Sequence, residues 1–96
     1  SYGLDMGQTA KPKPTTFTTA VHAALRDEVE KRDWSFRRLA EESGIGKNRI
    51  SRTVSRDETP LDVNELDSIC SALRVSPLSI LRAAQDLLDT SLLATA

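Results

Sequence analysis

Apolar residues recur along this chain at helical spacing. Phe17, Ala20, Val21, Ala24, Leu25 and Val29 fall at i, i+3, i+4, i+7, i+8 and i+12, which lines one helix face from residue 17 to near Arg32. Thr15 or Thr16 can cap its start. Asp33 and Trp34 interrupt the pattern, and Ser35 then offers a cap to a short second helix that turns Phe36, Leu39 and Ala40 inward. Gly44 supplies the left-handed residue that ends it, with Ile45 placed to pack back under the turn. From Gly46 or Lys47 to Ser55 a third helix carries Ile50, Thr53 and Val54 on one side and Asn48, Ser51, Arg52 and Ser55 on the other. After the polar break at residues 56–60, Asp62 stands three residues before Glu65 as a capping box. It opens a fourth helix whose apolar face is Val63, Leu66, Ile69, Cys70 and Leu73. Ser76-Pro77 starts a fifth, with Leu78, Leu81, Ala84, Leu87 and Leu88 inward and a continuation toward Leu92 and Leu93. No strand pattern and no internal repeat intervene, so the predicted fold is all-α, with five helices.

Length and composition narrow this picture. A chain of 96 residues holds one hydrophobic core. The aromatic residues are only Tyr2, Phe17, Trp34 and Phe36, and Ala and Leu dominate the apolar set, which favours short helices over a β-sandwich. Residues 1–16 read as an appended remnant (Ser1 to Asp5, before Met6) followed by a flexible, mildly basic arm with Pro12, Pro14, Lys11 and Lys13. Residues 17–90 form the expected domain and 91–96 a tail. The single cysteine, Cys70, has no partner for an internal disulfide, and with the single histidine, His22, it makes no zinc site. No apolar run approaches the roughly 20 residues that span a bilayer, and no signal-peptide stretch opens the chain. The expectation is a reducing, cytoplasmic location with no cofactor and no metal.

The net charge of −1 conceals segregation. Residues 1–56 carry +4 and residues 57–96 carry −5, and within the first part Arg37, Arg38, Lys47, Arg49, Arg52 and Arg56 form a basic block opposed only by Glu41 and Glu42. Such a block is either a solvated face or a phosphate-binding surface. Spacing favours the second. Two short helices joined by a glycine-containing turn make a helix-turn-helix, whose second helix stands clear of the domain. The major groove of B-DNA, about 12 Å wide, admits such a helix. Asn48, Ser51 and Arg52 offer donors for base edges, and Lys47, Arg49 and Arg56 offer charges for phosphates, with Arg37 and Arg38 as further phosphate candidates and the Lys11/Lys13 arm a weaker candidate for the minor groove.

The run S-F-R-R-L-A-E-E-S-G-I-G-K-N-R-I-S-R at residues 35–52 and the run P-L-D-V-N-E-L-D-S-I-C-S-A-L-R-V-S-P-L-S-I-L at residues 60–81 resemble the lambda repressor and Cro-like helix-turn-helix proteins, the XRE family. The resemblance spans residues 21–81. It implies a lambda-repressor-like domain that binds double-stranded DNA as a transcriptional regulator, often a repressor and often a homodimer. It also implies that Lys47, Asn48 and Arg52 read bases with Ser51 and Arg49 beside them, and that Ser55 and Arg56 meet phosphate. Three positions depart from the family pattern: Phe36 replaces the usual glutamine at the start of the second helix, Val54 replaces a common acidic residue, and Gly46 removes a side chain that often contacts DNA.

Other residues have plainer readings. His22 has no nucleophile or paired carboxylate beside it and is expected as a partly buried or surface histidine, so no enzyme is predicted. Cys70 reads as core, and Trp34 and Phe36 as a lid on that core. Asp57, Glu58, Asp62, Glu65 and Asp67 read as solvent and cap residues. Leu87, Leu88, Leu92 and Leu93 exceed what five helices must bury, which suits either a homodimer surface or a helix lying back on the first. The alternative function is a protein-interaction module, an antitoxin or anti-regulator, that works through the fifth helix and carries a vestigial helix-turn-helix.

Overall fold

The computed structural model describes residues 12–95, and the side-chain surroundings of residues 12–90. Five helical segments follow one another: α1 (Thr16–Lys31), α2 (Phe36–Ser43), α3 (Lys47–Ile50), which runs directly into a π-turn (Ser51–Ser55), α4 (Val63–Leu73) and α5 (Pro77–Thr95). No strand occurs among the described residues. The chain is all-α.

The starts and stops are set by side chains that satisfy the helix-end backbone groups. Thr15 Oγ1 accepts from the Thr18 N–H at 3.2 Å, and Ser35 Oγ accepts from the Arg38 N–H at 3.0 Å. Asp62 and Glu65 form the reciprocal box, the Glu65 N–H donating to Asp62 Oδ1 at 2.7 Å and the Asp62 N–H to Glu65 Oε1 at 2.9 Å. Gly44 ends α2 at φ 77°, its N–H donating to the Ala40 carbonyl at 2.9 Å. α4 ends on the same left-handed step as α2, taken here by a residue other than glycine. Arg74 takes the left-handed position at φ 61°, and Arg32, from the end of α1, donates from Nη2 to the Leu73 carbonyl at 2.9 Å.

Leu25, Leu39, Ile50, Val54, Ile69, Leu73 and Ile80 are sealed from solvent at the centre, with Cys70 and Ala84 beside them. α1 lies along α5, α2 packs on α3 and α4, and the π-turn rests on α1. Trp34, Phe36 and Ile45 are half-buried against this core. Three residues assigned to apolar faces are instead open to solvent, Val63 at 79% exposure, Leu78 at 72% and Leu87 at 45%. Val63 and Leu78 stand in the first turn of their helices, and the inward role at the start of α5 falls to Ile80.

The expected third helix is not uniform. After Ile50 it widens to the π form, closed by the Arg56 N–H donating to the Ser51 carbonyl at 3.0 Å. Thr53 Oγ1 donates to the Arg49 carbonyl at 2.7 Å, a back-bond that competes with the regular ladder where the turn opens. Thr53 and Val54 remain fully buried.

Candidate nucleic-acid interface

α2, the turn through Gly44, and α3 hold the basic block on one structural unit. Ile50, Thr53 and Val54 pin α3 and its π-turn to the core, so the other face of the same helix looks outward. Lys47 and Asn48 are exposed, while Ser51, Arg52 and Ser55 are half-buried. Arg37, Arg38 and Arg56 are exposed. Arg38 lies over the Trp34 ring, 4.4 Å from its centroid, and 3.9 Å from Glu42. Arg56 Nε stands 3.3 Å from Glu58 Oε2. Arg52 has its carbonyl occupied by the N–H groups of Glu58 and Thr59, at 2.8 and 3.2 Å, and its Nε is buried without a partner.

Arg49 departs from the others. Its Nε and Nη2 donate to the two Glu65 carboxylate oxygens at 2.6 and 2.8 Å, and Nη2 also donates to the Pro60 carbonyl at 2.9 Å. This fork-on-fork geometry ties α3 to α4 and to the loop between them. The same hydrogen bonds hold the Glu65 carboxyl below its ordinary range. Its guanidinium is thus engaged within the protein.

A second network was not foreseen. His22 is fully buried rather than partly exposed. Its Nδ1 lies 2.8 Å from Asp57 Oδ1, and its Nε2 accepts from the Leu61 N–H at 3.3 Å. Asp57, read from sequence as a solvent residue, is at φ 56° and also accepts from Arg26 Nη1 at 3.2 Å. Arg26 Nη1 donates in addition to the Val54 carbonyl at 2.7 Å, at the end of the π-turn. α1 therefore holds both the end of the candidate recognition helix and the loop that leaves it. The available signal was the missing acidic residue at Val54. A carboxylate stands three positions on, at Asp57, and the fold brings it to Arg26.

Among the described residues no cluster of His, Cys, Asp and Glu suits a metal ion, and no helix is long and apolar enough to cross a membrane. Leu87 is 45% exposed and Leu88 half-buried. Lys11, and the side chains of Leu92 and Leu93, lie outside the described residues.

A short helix, a glycine turn and an outward, cation-bearing second helix on a five-helix core define a helix-turn-helix protein. The chain belongs to the Cro/C1-type helix-turn-helix DNA-binding domain family, whose profile matches residues 24–86. It is 39% identical over 70 residues to a protein of Haloarcula marismortui named as an HTH-type transcriptional regulatory protein; the match covers 68% of this chain but only 20% of that relative's length. Its fold is similar to two crystal structures of the clp gene regulator ClgR from Corynebacterium glutamicum. One aligns with a TM-score of 0.74 at 26% identity over 88% of this chain and 87% of that one. The other aligns with a TM-score of 0.66 at 28% identity over 77% and 94%.

Proposed function

We propose that this chain is a sequence-specific, double-stranded DNA-binding transcriptional regulator, acting as a repressor, that lays the helix at residues 47–55 in the major groove. The observation that carries the reading is the sidedness of that helix. Ile50, Thr53 and Val54 are fully buried, whereas Lys47 and Asn48 are exposed on the opposite face with Ser51 and Arg52 following them. Lys47, Asn48, Ser51 and Arg52 read base edges. Asn48 suits adenine and Arg52 suits guanine, each worth about 1–3 kcal/mol of discrimination. Arg37, Arg38, Ser55 and Arg56 hold phosphates, supplying salt-sensitive affinity.

Arg49 has a different part in this reading. Its bonds to Glu65 and Pro60 set the angle of the helix, and Lys47, two residues earlier on the outward side of the same turn, carries the charge to the duplex. Arg38, stacked on Trp34, is pre-positioned for phosphate at the start of α2, where Phe36 supplies no polar group. A homodimer through α5, with Leu87 and Leu88 in the contact and Leu92 and Leu93 beyond them, would place two such helices about 34–36 Å apart, one helical turn of DNA.

Selection of duplexes from a random pool tests the reading. Wild type should enrich one motif, Asn48→Ala should relax it at a single base pair, and Arg52→Ala should do so at another. An unenriched pool, with binding that persists through raised salt, overturns it and favours the protein-interaction module.

A further inference from the structure

The His22, Asp57 and Arg26 network does more than fill the core, because its hydrogen-bond pattern fixes one protonation state. Nε2 faces the Leu61 N–H, which is a donor, so Nε2 must present its lone pair. The ring's one proton then sits on Nδ1 and is donated to Asp57 Oδ1. A second proton leaves the Asp57 bond in place and turns the Leu61 contact into donor against donor. The part of the chain that must yield is the loop after the recognition helix. That loop carries Arg56 at its start and Pro60, whose carbonyl holds Arg49, near its end.

We propose that His22 is a proton-sensitive positioning residue for the DNA-binding helix: proton uptake at Nε2 expels the Leu61 N–H, loosens the turn at residues 57–61 and weakens duplex binding. This rests on the DNA-binding reading above. The charged groups around the ring act in both directions. Asp57, from the loop, favours the charged form, while Arg26 on α1 and Arg49 on α3 oppose it, Arg49 being itself paired with Glu65 of α4. Burial outweighs them all and holds the ring below its ordinary 6.5. The neutral, fully bonded form therefore prevails at and above that value, and the turn is released only as pH falls through the ring's lower folded-state value.

The direction of the effect is its signature. An added positive charge near a DNA-binding surface ordinarily tightens binding, whereas here acidification loosens it. Affinity for the selected duplex should be measured from pH 7.5 down through the ring's lowered folded-state value, to about pH 4.5, at fixed ionic strength, alongside amide exchange at Leu61 in the free protein. Wild type should weaken on the order of fivefold across this range, and the Leu61 amide should lose protection. His22→Gln, whose side-chain oxygen can accept from Leu61 without titrating, should hold or gain affinity. His22→Asn, which reaches Asp57 but not Leu61, should bind weakly at every pH.

Equal pH responses in wild type and His22→Gln overturn the proposal, as does unchanged Leu61 protection at the acid end. Loss of helical circular dichroism in step with the loss of binding overturns it too, since unfolding would then be the cause. Failure to bind any duplex at pH 7.5 is a separate result: it defeats the DNA-binding reading itself, and the proposal with it.

Discussion

Replacing Arg49 with alanine separates a residue that orients α3 from one that touches DNA. The substitution removes three hydrogen bonds, two to Glu65 at 2.6 and 2.8 Å and one to the Pro60 carbonyl at 2.9 Å. A fully exposed ion pair contributes about 0–1 kcal/mol, and a buried charged hydrogen bond about 1.5–3 kcal/mol. With side chains 31% and 17% exposed, Arg49 and Glu65 fall between these limits. Glu65 keeps its bond from the Asp62 N–H, so it is not left without a partner. The expected loss is about 2 kcal/mol, which in a domain of this size lowers the unfolding midpoint by roughly 8–16 °C. The pH dependence gives a second check. Arg49 lowers the Glu65 carboxyl from its ordinary 4.5, so the stabilisation is present above that value and fades as pH falls through the lower folded-state value. Urea unfolding of both proteins should show a gap at neutral pH that narrows as pH falls through that lower value, leaving the share that the Pro60 bond supplies. In duplex binding, the slope of log affinity against log salt should stay the same for Arg49→Ala. An unchanged unfolding midpoint together with a slope reduced by about 0.9 would mark Arg49 as a phosphate contact and refute the reasoning.

Two further outcomes follow from the fold. Gly44→Ala places a side chain at φ 77° where no heavy atom lies within 4 Å of the added carbon, so the cost is backbone strain alone. About 1 kcal/mol should be lost in chemical denaturation, and a loss above about 3 kcal/mol would point to a clash instead. Burial pushes the Cys70 thiol up to about 11, so at pH 8 it should resist alkylation in the folded protein and react promptly in denaturant; rapid labelling of the native state would contradict its place in the core.

What the sequence made legible were the features that repeat or act locally. Helical spacing located five helices, and the caps at Ser35, Gly44 and Asp62 act within three or four residues, so composition at those positions is enough to read them. Outward placement of Lys47 and Asn48 followed from the same wheel. The misreadings share a different origin. A wheel of fixed pitch has no place for a π-turn, and the widening at Ser51–Ser55 is accompanied by a Thr53 hydroxyl bond that periodicity does not report. Arg49 looks like any other cation until the fold brings Glu65 to it from sixteen residues away. His22 and Asp57, separated by thirty-five residues, became a bonded pair only once α1 was laid beside the π-turn. Val63 and Leu78 matched the apolar period but sit where their helices begin.

The central claim is that the outward face of α3 is the surface that meets DNA. Backbone chemical-shift mapping with the selected duplex tests it most directly. The largest shifts should fall on residues 47–56 and on Arg37 and Arg38, with α5 nearly silent. Shifts concentrated around Leu87 and Leu88, with Lys47, Asn48 and Arg52 unmoved, would contradict it.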